Sequence, residues 1–92
     1  MIKSFKCRHT QVLFAGDRVL RWSHFQRIAE RKLQMLHRAT KIDDLRAPPA
    51  NRLELLKGDR AGQCSIRING QWRLCFRFEE GHAFDVEIVD YH

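Results

Sequence analysis

The spacing of apolar residues changes period near the middle of the chain. In the first half Phe25, Ile28, Ala29, Leu33, Leu36 and Ala39 recur at i, i+3 and i+4, which places them on one stripe of a helix. Arg27, Arg31, Gln34 and Arg38 fall on the opposite face. Ser23 and Gln26 have the S-x-x-Q spacing of a capping box, so the helix is expected over residues 23–40. Upstream, residues 10–16 predict one or two helical turns ending at Gly16, and the weak alternation of residues 1–6 predicts a short edge strand.

Residues 47–51, Ala-Pro-Pro-Ala-Asn, read as a linker, because two prolines stop a helix and favour an extended path. Beyond them the period is two. Strands are expected at residues 52–57, 63–68, 72–78 and 83–89, with turns at 58–62 and 79–82. In the last strand Phe84, Val86 and Ile88 share a face. Asn69-Gly70 suits a two-residue turn, but that pairing sets Ile66 opposite Arg73 and mixes faces. A three-residue loop, Ile68-Asn69-Gly70, with Gly70 left-handed in a bulge, avoids this. Cys64, Ile66, Trp72, Leu74, Phe76 and Phe78 then form the core face, and Ser65, Arg67, Arg73, Cys75 and Arg77 the other. The expected fold class is α+β: N-terminal helices on one face of a four- to five-stranded, mainly antiparallel sheet, one domain over residues 1–92.

Composition supports this. With 92 residues, 43% apolar and 30% charged, the chain suits one small core rather than disorder. No apolar run approaches the ~18 residues of a membrane span, and none follows Lys3, Lys6 and Arg8, so neither membrane association nor a secretory signal is expected. Cys7, Cys64 and Cys75 lack CxxC spacing, and no Cys or His pair has zinc-ligand spacing. Reduced thiols, a cytoplasmic location and no metal or cofactor are the expectation. Net charge is +6, and 12 of the 17 cations are Arg, the residue best suited to bidentate phosphate recognition. Residues 1–46 carry +7 and residues 47–92 carry −1, so the basic balance resides in the helical half. A nucleic acid or another polyanion is the partner class indicated.

Two groups of residues could support chemistry. Arg67, Arg73 and Arg77 share the sheet face opposite the core, with Arg52 or Lys57 beside them. Like charges repel across a sheet unless something anionic sits among them. That anion is either a bound phosphate or Asp85 and Glu87 of the last strand. The second group is the C-terminal Asp90-Tyr91-His92, either a ragged polar end or a working one. Together they suit RNA hydrolysis by an internal 2′-hydroxyl, which needs a base, an acid and cations on the phosphorane. His92, Tyr91, Asp90 and Glu54 are the acid–base candidates, and Arg73, Arg67 and Lys57 the phosphate clamps.

Three ordered motifs resemble one family. They are L-x-G-x-R-x-G at residues 56–62, N-x-Q-W-R at 69–73, and the terminal D-Y-H at 90–92. The set, with chain length, resembles the HigB-type toxins of the RelE-like toxin–antitoxin group. The resemblance implies a RelE-like microbial RNase fold and a ribosome-dependent endoribonuclease that cuts translated mRNA in the A site of the 70S ribosome, leaving a 2′,3′-cyclic phosphate. It implies a helix-turn-helix, HigA-like antitoxin, with operator DNA reached only through that antitoxin. By the family motif Arg73, Asp90, Tyr91, His92 and Lys57 take catalytic roles. Where some members carry His, this chain has Glu54, a carboxylate able to act as base but not as a cationic clamp. Arg27, Arg31 and Arg38 are expected to dock on ribosomal RNA, with Arg67 and Arg77 as further RNA contacts. The alternative is a non-catalytic ribosome- or RNA-binding module.

Overall fold

The computed structural model describes residues 1–91. Two helices, α1 (Arg8–Phe14) and α2 (Gln26–Arg38), pack on one face of an antiparallel sheet ordered β1 (Glu54–Leu55), β2 (Cys64–Arg67), β3 (Trp72–Glu79) and β4 (His82–Asp90). The N-terminal segment lies parallel to β4 through two isolated bridges, Ile2 with Ala83 and Phe5 with Val86. It thus extends the sheet edge without forming a full strand.

The core lies between helices and sheet. Leu13 of α1, Ala29, Leu33 and Leu36 of α2, and Ile66, Leu74, Phe76 and Val86 of the sheet are fully shielded. Each such Leu contributes about 1.5–3 kcal/mol of transfer free energy. Trp72 joins this core as expected, its ring 5.2 Å from Phe25 and 6.2 Å from Trp22.

Helix α2 starts three residues later than the S-x-x-Q spacing predicts. Leu20–Trp22 form a 3₁₀ turn that ends at Ser23, so Ser23 cannot cap α2. Phe25 is the capping residue, and its ring is buried. Gln26 instead reaches back, its Oε1 accepting the Val19 N–H and its Nε2 donating to the Asp17 carbonyl, each at 3.1 Å. Helix α1 ends as expected: Gly16 adopts φ +98°, and its N–H closes on the Leu13 carbonyl.

The segment read as a linker is a packed anchor. Pro49–Asn51 form a 3₁₀ turn, and Asn51 is completely buried. Its Nδ2 donates to the carbonyls of Leu45 (3.1 Å) and Ala47 (3.3 Å), and its Oδ1 accepts from Lys32 of α2. Burial and the adjacent Arg31 push the Lys32 ammonium below its ordinary pKa. Arg52 follows in the left-handed region at φ 45°, which shortens the expected strand over 52–57 to the two residues of β1.

The central hairpin keeps the expected faces with a different loop. Arg67 pairs with Arg73, Ile66 with Leu74, Ser65 with Cys75 and Cys64 with Phe76. The loop is therefore residues 69–71, and Gly70 is not left-handed. Asn69 explains the shift: its Oδ1 accepts the N–H groups of Gln71 and Trp72, both at 2.9 Å, and closes the turn with its side chain. Between β3 and β4 the register slips between Cys75 and Arg77. Asp85 takes φ 54° there, and Phe84 moves to the face of Arg77, away from Val86 and Ile88.

Candidate active site

The sheet face opposite the helices is not the open surface that alternation suggests. Ser65 and Cys75 are fully buried there, and Arg73 is only 6% exposed. Arg60, from the 3₁₀ turn Gly58–Arg60 between β1 and β2, reaches across the sheet face to bond Glu87 of β4 at 3.1 Å, and Lys6 approaches the same carboxylate at 3.7 Å. Burial pushes the Cys75 thiol up. A low-reactivity structural role for this cysteine follows.

Beside this covered centre lies a cleft of about 220 Å³, lined by Arg52, Glu54, Arg67, Asn69, Gly70, Arg73 and Tyr91. Three strands and the chain end converge on it. Arg73 of β3 forms its floor. Nε of Arg73 donates to Ser65 Oγ at 2.7 Å, and Nη2 donates to the carbonyls of Arg52 (2.6 Å) and Ser65 (3.3 Å). Glu54 of β1 brings Oε1 to 3.8 Å from Nη2, with its own side chain half exposed. The Tyr91 ring centroid lies 5.7 Å from the Arg73 guanidinium carbon. Tyr91 is placed by its own N–H, which donates to the Gln71 carbonyl at 2.6 Å. Arg67 faces Arg73 directly across the ladder, and its guanidinium borders Gly70. A carboxylate, a phenol and the guanidinium groups of Arg67 and Arg73 thus share one small cleft with Arg52 on its lining, a set able to hold a phosphate and exchange protons beside it.

The cleft brings together Arg52, Glu54, Arg67, Arg73 and Tyr91 from among the residues singled out in the sequence. Asp90 pairs with Trp72 in the ladder, and its carboxylate accepts from Gln71 Nε2 at 3.2 Å, so it flanks the cleft without lining it. Lys57 is exposed and also lies outside the lining. Arg77 is not a free clamp: it pairs with Glu79, meets Asp85 at 3.6 Å and stacks its guanidinium 4.8 Å from the Phe84 ring centroid. For this residue the internal acidic partner holds. His92 lies outside the described residues. Two contributors were not singled out in the sequence. Ser65 was legible only as a small residue of matching parity, and the Arg52 carbonyl carries no sequence signal at all. Asn69 also lines the cleft, having been read only as turn chemistry.

A second concavity, about 700 Å³, runs along α2. Arg27, Arg31 and Arg38 are exposed along it, above a floor that includes Met35 and Ala39. Glu30 and Asp44 also line it. Residues 27 and 38 are separated by about 16 Å at 1.5 Å per residue. Among the described residues no cluster of three or more His, Cys, Asp or Glu is placed to hold a metal ion. No helix among them is long and apolar enough to cross a membrane.

Residues 3–92 match the family described as the RelE-like toxin of the type II toxin–antitoxin system HigB. The chain is 38% identical over 87 residues to Toxin HigB-1 of Vibrio cholerae serotype O1, covering 92% of each. It is 37% identical over 94 residues to Endoribonuclease HigB of Proteus vulgaris, covering 100% of each. Its fold is similar to a chain of the YoeB-YefM complex from Staphylococcus aureus, with a TM-score of 0.63 at 19% identity, over 100% of this chain and 95% of that one.

Proposed function

The chain belongs to the HigB-like toxins of type II toxin–antitoxin systems, and from that premise we propose that it is a ribosome-dependent endoribonuclease cleaving translated mRNA in the A site. The observation that carries the reading is the Arg73 guanidinium held at the floor of a cleft beside a carboxylate and a phenol. Glu54 takes the proton from a 2′-hydroxyl. The freed oxygen attacks the adjacent phosphorus, and negative charge develops on the phosphoryl oxygens against Arg73 and Arg67. The bond to the 5′-oxygen breaks as an acid protonates it, leaving a 2′,3′-cyclic phosphate. Tyr91 and the terminal His92 are the candidates for that acid, with Asp90 supporting the chain end. Lys57 contributes a contact to flanking phosphate. Guanidinium groups supply the charge stabilisation that a metal would otherwise provide, so the reading is metal-independent and involves no cofactor.

The α2 face has a separate part. Arg27, Arg31 and Arg38 dock on ribosomal RNA and do no chemistry, and the complex with a helix-turn-helix antitoxin restrains the toxin. The whole of residues 1–92 acts as one domain in the cytoplasm.

The test is primer extension on an mRNA translated by purified ribosomes with added protein. Cleavage within the A-site codon is expected, lost on Arg73→Ala and in a chain lacking His92. Ribosome binding without cleavage would instead indicate a non-catalytic module. Neutralising Arg27, Arg31 or Arg38 should lower the salt dependence of ribosome binding by about one counterion each, with single-turnover cleavage of bound mRNA unchanged.

A further inference from the structure

A guanidinium in the middle of a sheet is confined by what accepts its N–H groups. Arg73 has five such donors in a rigid plane. Three bonds engage one side of the fork: Nε to Ser65 Oγ at 2.7 Å, and Nη2 to the Arg52 and Ser65 carbonyls at 2.6 and 3.3 Å. Nη1 makes no hydrogen bond among the described residues. The plane and the rotation of the fork are therefore set from behind, and one nitrogen remains to meet a ligand.

The three acceptors differ in what holds them. The Ser65 carbonyl belongs to β2. The Arg52 carbonyl belongs to a left-handed residue that follows the buried Asn51 anchor. Both engage the same nitrogen, Nη2, so alone they leave the guanidinium free to pivot about it. Only the Ser65 hydroxyl engages a second nitrogen and stops that pivot. Ser65 is completely buried, so its hydroxyl cannot itself meet RNA. Its partner in the ladder is Cys75, two residues beyond Arg73 on the same face, so the bond runs diagonally across the strand pair.

We propose that Ser65 is a positioning residue, whose buried hydroxyl locks the Arg73 fork so that Nη1 is presented to the reacting phosphate. The proposal rests on the reading of Arg73 as the phosphate-stabilising catalytic residue. Ser65 then acts on the chemical step and not on association, because the α2 face and the rim of the cleft do not depend on it. It also acts only through Arg73. A Lys at position 73 carries its donors on one freely rotating ammonium, so the hydroxyl would have no planar fork to lock.

The experiment is single-turnover mRNA cleavage on programmed 70S ribosomes at varied toxin concentration. Ser65→Ala should lower the maximal rate about ten- to a hundredfold, the scale expected for a misaligned catalytic group. The concentration giving half the maximal rate should stay within about twofold, since binding is untouched. In an Arg73→Lys background the same Ser65→Ala change should alter the rate by less than about twofold. Ser65→Cys, close in size but a poor acceptor, is measured alongside and should behave like Ser65→Ala, so that the test survives if one variant does not fold. An unchanged maximal rate in the folded variants, a loss confined to half-saturation, or an equal loss in the Lys background would each overturn the proposal. Wild-type cleavage by Arg73→Ala would instead overturn the catalytic reading of Arg73, whatever Ser65 does.

Discussion

Replacing Asn51 by Ala tests whether the Pro-Pro segment is an anchor or a tether. The side chain is wholly buried: its Nδ2 donates to the Leu45 and Ala47 carbonyls and meets Met35 Sδ at 3.1 Å, and its Oδ1 accepts from Lys32. Truncation leaves the buried Leu45 carbonyl unpaired, at about 1–3 kcal/mol, and the half-exposed Ala47 carbonyl less well served, at about 0.5–1 kcal/mol. The Lys32 ammonium is only partly buried and regains water, so it adds little. The expected loss is about 1.5–4 kcal/mol, which lowers the melting temperature by roughly 6–32 °C for a domain of this size. The assay is urea unfolding followed by tryptophan fluorescence, with a lower midpoint and an unchanged slope expected. A loss below about 0.5 kcal/mol, the level of ordinary surface substitutions, would refute the anchor and restore the linker reading.

Three further outcomes are expected. Glu54→Gln should leave stability within about 0.5 kcal/mol, since the side chain is half exposed. It should slow single-turnover cleavage by about 10²–10⁴-fold, and an undiminished rate would move the base role elsewhere. Burial pushes the Cys64 and Cys75 thiols up, so iodoacetamide should label Cys7 first in the native protein and reach the other two only on unfolding, as read by mass spectrometry. Early labelling of Cys75 would contradict the covered sheet face. The Thr40 backbone N–H, with Lys41 assisting, holds the Asp44 carboxyl below its ordinary value. Its folded pKa lies below its unfolded one, so the stabilisation is complete above the unfolded value of about 3.9 and disappears as pH falls through the folded value. Asp44→Asn should therefore lose stability at neutral pH but differ little from wild type in strong acid, and an equal deficit at both pH values would argue against the linkage.

Periodicity made the helices, the strand order and the core face legible, because burial imposes it on every element. The departures have local causes. The α2 start moved because Leu20–Trp22 wind into a 3₁₀ turn before Ser23 can cap. The hairpin loop moved by one residue because Asn69 caps it by side chain, so no left-handed glycine is needed. Phe84 changed face because one extra residue, Asp85, bulges out of the ladder. None of these is a periodic signal. The anchor at Asn51 was hidden for a different reason: composition marks prolines as breakers but does not say whether the broken segment packs.

The candidate site was legible as residue types and not as geometry. Parity alone placed Arg67, Arg73 and Arg77 as equivalent cations on one face, whereas their surroundings make them three different groups. Arg77 is neutralised by Glu79 and Asp85. Arg73 is buried among carbonyls and a hydroxyl, with Glu54 at 3.8 Å. Arg67 stands directly opposite Arg73 and has no acidic partner within ion-pair distance among the described residues. Two guanidinium groups facing each other across a ladder oppose folding, most strongly where one is desolvated. Such a conflict between local preference and fold is expected where function requires it. An anion bound between the two would relieve it, and the phosphate of the scissile bond is the anion that the proposed chemistry brings there. The near-neutral charge of residues 47–92 conceals this, because a sum does not distinguish Arg77, balanced by Glu79 and Asp85, from Arg67, which has no acidic partner among the described residues.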